Sequence, residues 1–328
     1  MAARFIGLLN QGRDGPATLP NPQSAIRNSL NPASTPCLIF NPAARGGKAR
    51  RFRSHPILPG LPCVFLPTTA PGDARRLAAQ AVRDGFQTII AAGGDGTVNE
   101  VLNGITDVPG GLRAVRLGIL PLGTVNVFAR ELRLPLRARS AWRVLAAARE
   151  KMIDLGRAQF TLDGRPQTRS FIQLAGAGLD SRAIELTDWN VKKKIGPFAY
   201  LLAGFHALSE KRPLVTLRAG STFAGEWIAV GNGRYYGGPI PFFPRARLED
   251  GLLDICVLPK TTFPVVAAVL AGLLIGRMHQ FSGARFLTAS TLTLASPDRV
   301  LLQLDGENVG ELPATLTVEP GALRVIVP

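Results

Sequence analysis

Residues 88–92 (Thr88-Ile89-Ile90-Ala91-Ala92) form an apolar run of strand length, and Val98, Val101, Leu102 and Ile105 recur on one helical face. Between them lies Gly93-Gly94-Asp95-Gly96-Thr97. A buried strand that passes through glycines straight into an amphipathic helix confines this part of the chain to an α/β architecture. Glycines let the backbone turn sharply and approach a ligand. The helix start offers unpaired N–H groups and the positive end of the dipole, so the turn suits an anion such as phosphate. As a bare Gly-x-Gly the signal is weak. Asn99 stands where a dinucleotide fingerprint has its third glycine, and no P-loop signature occurs. An ordinary strand-to-helix turn stays open on these residues alone.

The flanking sequence repeats the alternation. Residues 37–40 and 62–66 read as strands, the first ended by Asn41-Pro42. Ala74, Leu77, Ala78, Ala81 and Val82 predict a helix with Asp73 at its N-cap and Gly85 just past its end. A strand at 117–120 and helices at 125–132 and 138–151 follow, which together predict a parallel sheet with crossover helices. From Asp154 short apolar strands dominate, at 171–174, 215–217, 227–230, 253–258, 292–295, 300–304, 314–318 and 323–327. Helical stretches near 197–210 and 263–277 interrupt them. The expected organisation is a mobile extension over 1–34, an α/β domain over 35–153 and a β-rich, sandwich-like domain over 154–328.

The chain has 328 residues, 46% of them hydrophobic, which is ample for buried cores and excludes wholesale disorder. Its three cysteines and three histidines carry no disulfide framework and no metal-ligand spacing, so a reducing, cytoplasmic setting is expected. The longest apolar run, 263–276, is shorter than the roughly 20 residues of a membrane span. The net charge of +15 attracts polyanions, either nucleotides or an anionic membrane, unless it serves solubility alone. Aromatic residues are 7% and no zinc-finger, ribonucleoprotein or helix-turn-helix pattern is present, which argues against nucleic acid.

Further motifs follow in order: 39–48 (Ile39-Phe40-Asn41-Pro42 through Arg45-Gly46-Gly47-Lys48), then the glycine turn, then Leu120-Pro121-Leu122-Gly123-Thr124-Val125-Asn126. Gly231-Asn232-Gly233, Gly237-Gly238, the segment 244–254 with Asp250-Gly251, and Asp305-Gly306-Glu307 complete the set. In this order they resemble the diacylglycerol kinase catalytic family, which includes bacterial diacylglycerol kinases, YegS-like lipid kinases, sphingosine kinases and ceramide kinases. The resemblance spans 36–328. It implies an N-terminal domain related to phosphofructokinase and NAD kinase, a β-rich C-terminal domain, an active site in the cleft between them, and a C-terminus able to pack back on the first domain.

The resemblance also implies roles. Gly93, Gly94, Asp95, Gly96, Thr97, Val98 and Asn99 would wrap the phosphates of ATP, with Asn41, Thr68 (or Thr69) and Thr124 in contact; Thr124 reads equally as a helix cap. Asp305 would accept the proton of the attacking hydroxyl, with Glu307 as a Mg²⁺ or orienting partner, although Asp-Gly alone suggests a hairpin. Asp95 would orient Mg²⁺ or lie by the acceptor hydroxyl. Asp250, with carbonyls of Arg247 and Leu252, would hold a second divalent ion, against the reading of a plain turn. Two departures stand out: Val127 where many relatives carry Asp after Asn126, and Arg182 where sphingosine kinases carry a second Asp after Asp180.

The implied activity is transfer of the γ-phosphoryl group of ATP to a diacylglycerol-like lipid. Alternatives are a soluble-substrate kinase of the NAD kinase type and an inactive phospholipid- or nucleotide-binding module. Lys192-Lys193-Lys194 ahead of Phe198, Leu201, Leu202 and Phe205 suggests peripheral docking on the inner membrane face, or a helix that covers the lipid cleft. A homodimer is left open.

Overall fold

In a computed structural model of the chain, the described residues are 31–44, 47–54, 62–186, 212–236, 238, 241–275 and 283–328. The expectations for residues 1–30, the lysine cluster and the helix near 197–210 lie outside them. The described chain forms two units. The first takes residues up to Gly123, then Pro135–Glu150 and Ile326–Pro328; the second takes Thr124–Leu134 and Lys151–Val325.

In the first unit β1 (Cys37–Phe40), β2 (Val64–Pro67), β3 (Thr88–Gly93) and β4 (Arg116–Pro121) pair in parallel in the order β4-β3-β1-β2. All six residues of β3 are buried, as expected for a parallel sheet covered on both faces. The helices in chain order are α1 (Gly47–Ser54), α2 (Asp73–Arg83), α3 (Asp95–Thr106) and α4 (Gly111–Ala114), followed by α5 (Val127–Glu131) of the second unit and α6 (Ala138–Ala147). Trp142 and Leu145 of α6 join Leu38, Phe40, Ile90 and Leu120 in one core, and Ile326 from the chain's end packs there too.

Helix α2 ends as its sequence predicts. Gly85 sits at φ +85, its N–H donates to Val82 O and that of Phe86 to Ala81 O, the paired bonds of a Schellman stop. Its start differs. The N-cap is Gly72 in the left-handed region, and Asp73 is the first helical residue. The Asp73 carboxylate reaches back to the Thr69 N–H at 2.8 Å, the Thr69 hydroxyl at 2.5 Å and the Ala70 N–H at 3.3 Å.

Helix α6 also stops earlier than 151. Ala148 takes φ 53, and the chain turns into β5 (Glu150–Leu162), a strand that the sequence reading missed. The second unit continues with β6 (Arg165–Phe171), β7 (Leu174–Gly178), α7 (Leu179–Glu185), β8 (Val215–Ala219), β9 (Ser221–Gly225), β10 (Trp227–Gly231) and β11 (Leu253–Leu258). Then come α8 (Phe263–Leu274), β12 (Arg285–Ala289), β13 (Thr291–Ala295), β14 (Leu301–Leu304) and β15 (Glu307–Ile326). The order β12-β11-β10-β7-β14-β15 is antiparallel throughout. Residues expected as two strands, 314–318 and 323–327, fall mostly in the single β15. Val230, Ile255, Leu302, Leu316 and Phe171 lie in the core of this unit. No described helix is long and apolar enough to cross a membrane.

Candidate active site

The glycine turn follows directly from β3. Gly93 is the strand's last residue, and its carbonyl accepts the N–H groups of Leu122 and Gly123 at 2.9 and 3.1 Å. A Cβ on Gly93 would run into the side chain of Thr97, so glycine is required there by close approach. Gly94 is the N-cap of α3 and supplies no side-chain cap. The first N–H groups of such a helix look for an outside acceptor. Asn41, at the end of β1, braces the turn: its Nδ2 donates to Thr97 Oγ1 at 3.0 Å, and its Oδ1 accepts the Ala43 N–H at 2.9 Å.

Thr97, Val98 and Asn99 are buried, Asp95 is half-buried and Gly96 is exposed. The Asn103 amide donates to Asn99 O at 3.0 Å. Glu100 accepts the Ala74 N–H at 3.1 Å and so serves the start of α2. Thr68, after β2, is buried, and its N–H donates to Phe40 O at 2.8 Å. Thr124 is exposed and belongs to the second unit. It does not cap α5; Asn126 occupies that position.

In the second unit Asp305 and Gly306 take φ values of 47 and 86 between β14 and β15, the hairpin conformation that Asp-Gly favours. The Asp305 side chain does more than shape the turn. Oδ2 accepts the Ile172 N–H at 2.9 Å, and Oδ1 accepts those of Gln173 and Leu174, both at 3.0 Å. The apolar run 171–174, expected as one strand, is therefore broken between β6 and β7, because its N–H groups turn to this carboxylate. Glu307 is about half exposed and pairs with Arg169 at 2.9 Å.

The Asp250 loop is held from below by Asp154. This buried carboxylate accepts the Gly251 and Gly321 N–H groups, each at 2.7 Å. Asp250 Oδ1 accepts the Leu252 N–H at 3.1 Å, and Arg247 is exposed. Burial, and then the charge of Asp250, push the Asp254 carboxyl up to about 6. Among the described residues no cluster of three or more His, Cys, Asp or Glu is placed to hold a metal.

Residues 35–158 match the diacylglycerol kinase catalytic domain, and residues 173–327 match the YegS C-terminal NAD kinase beta sandwich-like domain. A Pseudomonas aeruginosa (strain UCBPP-PA14) protein named "Probable lipid kinase YegS-like" is 35% identical over 263 residues, 78% of this chain and 82% of the relative. The chain belongs to the diacylglycerol kinase catalytic family. A Staphylococcus aureus (strain bovine RF122 / ET3-1) protein named "Diacylglycerol kinase" is 31% identical over 248 residues, covering 74% of this chain and 75% of its own. The crystal structure of a diacylglycerol kinase from Bacillus anthracis str. Sterne shares the fold, with a TM-score of 0.69 at 24% identity over 92% of this chain and 99% of that one.

Within this family member, several polar residues to which the sequence assigned no role hold the motif loops. Asn232 of Gly231-Asn232-Gly233 is fully buried, and its Nδ2 donates to the carbonyls of Asp154 and Ile172, both at 3.0 Å. Buried Glu131 accepts the Arg234 N–H at 2.7 Å, its Nε at 2.8 Å and Gln173 Nε2 at 2.8 Å. The Gln303 amide donates to Asp180 Oδ2 at 3.1 Å and to the Tyr236 hydroxyl at 2.9 Å, and accepts the Gly306 N–H at 3.0 Å. Tyr236 also donates to Asp180. Burial pushes both the Asp180 carboxyl and the Tyr236 hydroxyl above their usual ranges. The sequence signal for these residues is membership of a motif, as at Asn232, or a polar side chain inside an apolar strand, as at Gln303.

Proposed function

We infer that the chain is an ATP- and Mg²⁺-dependent kinase that phosphorylates a hydroxyl of a diacylglycerol-like lipid. The observation that carries this reading is the braced glycine turn: a helix start with a glycine N-cap and no side-chain cap, fixed by the Asn41–Thr97 hydrogen bond. Phosphate oxygens are the natural acceptors for such N–H groups. Thr69 commits its hydroxyl to Asp73, which favours Thr68 of that pair as a phosphate contact. Thr124 would add a hydroxyl donor.

In the reaction the lipid hydroxyl oxygen bonds to the γ-phosphorus, the bond to the ADP oxygen breaks, and the hydroxyl proton passes to a carboxylate. Asp305 is the proposed acceptor, with Glu307 orienting. A second assignment has one observation in its favour: three N–H groups already occupy the Asp305 oxygens, which suits a clamp and leaves Asp95 as the base. Mg²⁺ needs few protein ligands when phosphates supply the rest, so with Asp305 as the acceptor the single carboxylate of Asp95 at the helix start would suit it; the ion would neutralise charge on the phosphates. A second cation would sit on the Asp250 carboxylate and the Arg247 and Leu252 carbonyls, an all-oxygen donor set of the right hardness.

Incubation with labelled ATP and a lipid extract, followed by identification of the labelled product, tests the reading. A labelled diacylglycerol-derived phosphate supports it. Label in a water-soluble product supports the NAD kinase type instead, and nucleotide binding without transfer supports an inactive module.

A further inference from the structure

Helix α5 (Val127–Glu131) is five residues long. A helix of that length does not hold its own conformation in water, so contacts with the rest of the fold must set its place. Val127, Phe128 and Ala129 are buried and supply apolar packing. Its last residue, Glu131, is buried as well, with a side chain only 5% exposed. A carboxylate in such a place costs free energy unless its charge and its oxygens are matched. Apolar packing alone does not ask for one.

Glu131 is matched by two distant segments. Oε1 accepts Arg234 Nε at 2.8 Å, and Oε2 accepts the Arg234 N–H at 2.7 Å and Gln173 Nε2 at 2.8 Å. Gln173 is the middle one of the three residues whose N–H groups meet Asp305; its own goes to Oδ1 at 3.0 Å. Its carbonyl accepts the Asn232 N–H at 2.9 Å, and a Cβ on Gly233 would strike its carboxamide. One residue thus carries the Asp305 carboxylate on its main chain and the Glu131 carboxylate on its side chain. Toward the start of α5, the Asn126 carbonyl accepts the Arg130 N–H at 3.1 Å, and the Val125 carbonyl accepts Arg130 Nε at 2.9 Å. Thr124–Leu134, Gln173 and Asp305 all belong to the second unit. The path from Thr124 through α5, Glu131 and Gln173 to Asp305 stays within it.

We propose that Glu131 is a positioning residue that fixes Thr124, the hydroxyl expected at the nucleotide phosphates, relative to Asp305, the carboxylate expected at the acceptor hydroxyl. The proposal rests on the kinase reading for those two roles. Phosphoryl transfer is mostly positioning, and a misplacement of about 1 Å can cost roughly 10²-fold in rate. A contiguous path of buried hydrogen bonds is a physical means of holding the two groups to each other.

Two variants of the full chain test it. Glu131→Gln removes the charge. Gln173→Met removes the side-chain donor but keeps the Glu131–Arg234 pair and the main-chain bond to Asp305, so it is the milder change to the fold. Leu316→Ala, in the core of the same unit, is the control for lost stability. With ATP and a monomeric short-chain diacylglycerol, kcat of both variants should fall about tenfold or more, while Leu316→Ala stays near the wild-type value. Thr124→Val should raise the KM for ATP in the wild type and add little in the Gln173→Met background. Wild-type kcat in folded Gln173→Met, a full Thr124→Val effect in that background, or an equal loss of kcat in Leu316→Ala overturns the proposal. Hydrogen exchange gives a readout that needs no activity. Relative to the other amides of the unit, Gln173→Met should speed exchange over 124–134 and 172–174 together, and a change in one segment alone overturns the coupling. If the paired change appears but the wild type phosphorylates no lipid, the kinase reading fails and the coupling stands.

Discussion

Asp305 accepts the backbone N–H of Gln173 at 3.0 Å from 132 positions further along the chain. With the N–H groups of Ile172 and Leu174 on the same carboxylate, this contact ends β6, starts β7 and fixes the Asp305-Gly306 turn against them. The residue proposed as the base is thus a clamp on the fold.

Asp305→Asn separates the two duties. The substitution replaces one acceptor oxygen by an N–H₂ group that faces backbone N–H donors. Hydrogen bonds to a charged group contribute about 1.5–3 kcal/mol each, so denaturant unfolding should show a loss of about 2 kcal/mol or more. If Asp305 is also the base, turnover in the folded fraction falls by about 10²–10⁴, while calorimetry finds ATP affinity unchanged. Stability loss with near-normal turnover would leave Asp305 as a clamp and transfer the base to Asp95.

Gly93→Ala puts a methyl group into Thr97. Overpacking of this kind costs about 1–3 kcal/mol, and ATP binding should weaken with it. Thr97→Gly removes the obstructing side chain, so the double variant should be more stable than the sum of the two single effects requires. Strict additivity in urea melts would refute the contact as the reason for glycine.

The start of α2 gives a pH-dependent signature. The Thr69 hydroxyl, then the Thr69 N–H and Arg76, lower the Asp73 carboxyl to about 2. Its unfolded value is about 3.9. A depressed folded value means that the interaction stabilises the fold above about pH 4 and is lost as pH falls toward 2. Thr69→Val should therefore lower the unfolding temperature at pH 6 and make little difference at pH 2. A pH-independent gap between variant and wild type would contradict this.

Gln303→Leu removes three hydrogen bonds at once and takes one partner each from the half-buried Asp180 and Tyr236, which keep their bond to each other. A typical hydrogen bond contributes about 0.5–1.5 kcal/mol and one to a charged group more, so the variant should lose more stability than Glu307→Gln, whose side chain is about half exposed at 48%. Comparable losses in thermal unfolding would show that the network carries no weight.

Local rules made much of this fold legible. Cys37–Phe40 and Leu253–Leu258 are strands with the bounds that their apolar runs predict. Helix α2 stops where Gly85 permits a left-handed turn. The glycine turn could be read because strand, glycines and helix are contiguous. Asp163-Gly164, at φ 50 and 72, carried the same hairpin signal as Asp305-Gly306, and attention to it would have revealed β5 and β6. Other features have no local cause. The break at 172–173 depends on an acceptor supplied by Asp305, the Asp250 loop hangs on Asp154, and the polar residues Glu131, Asn232 and Gln303 find partners only after distant strands pair. The sequence by itself determined elements and turns, because propensity and capping act over a few residues. Only the tertiary structure decided which carboxylates hold backbone, because that outcome depends on groups far apart in the chain.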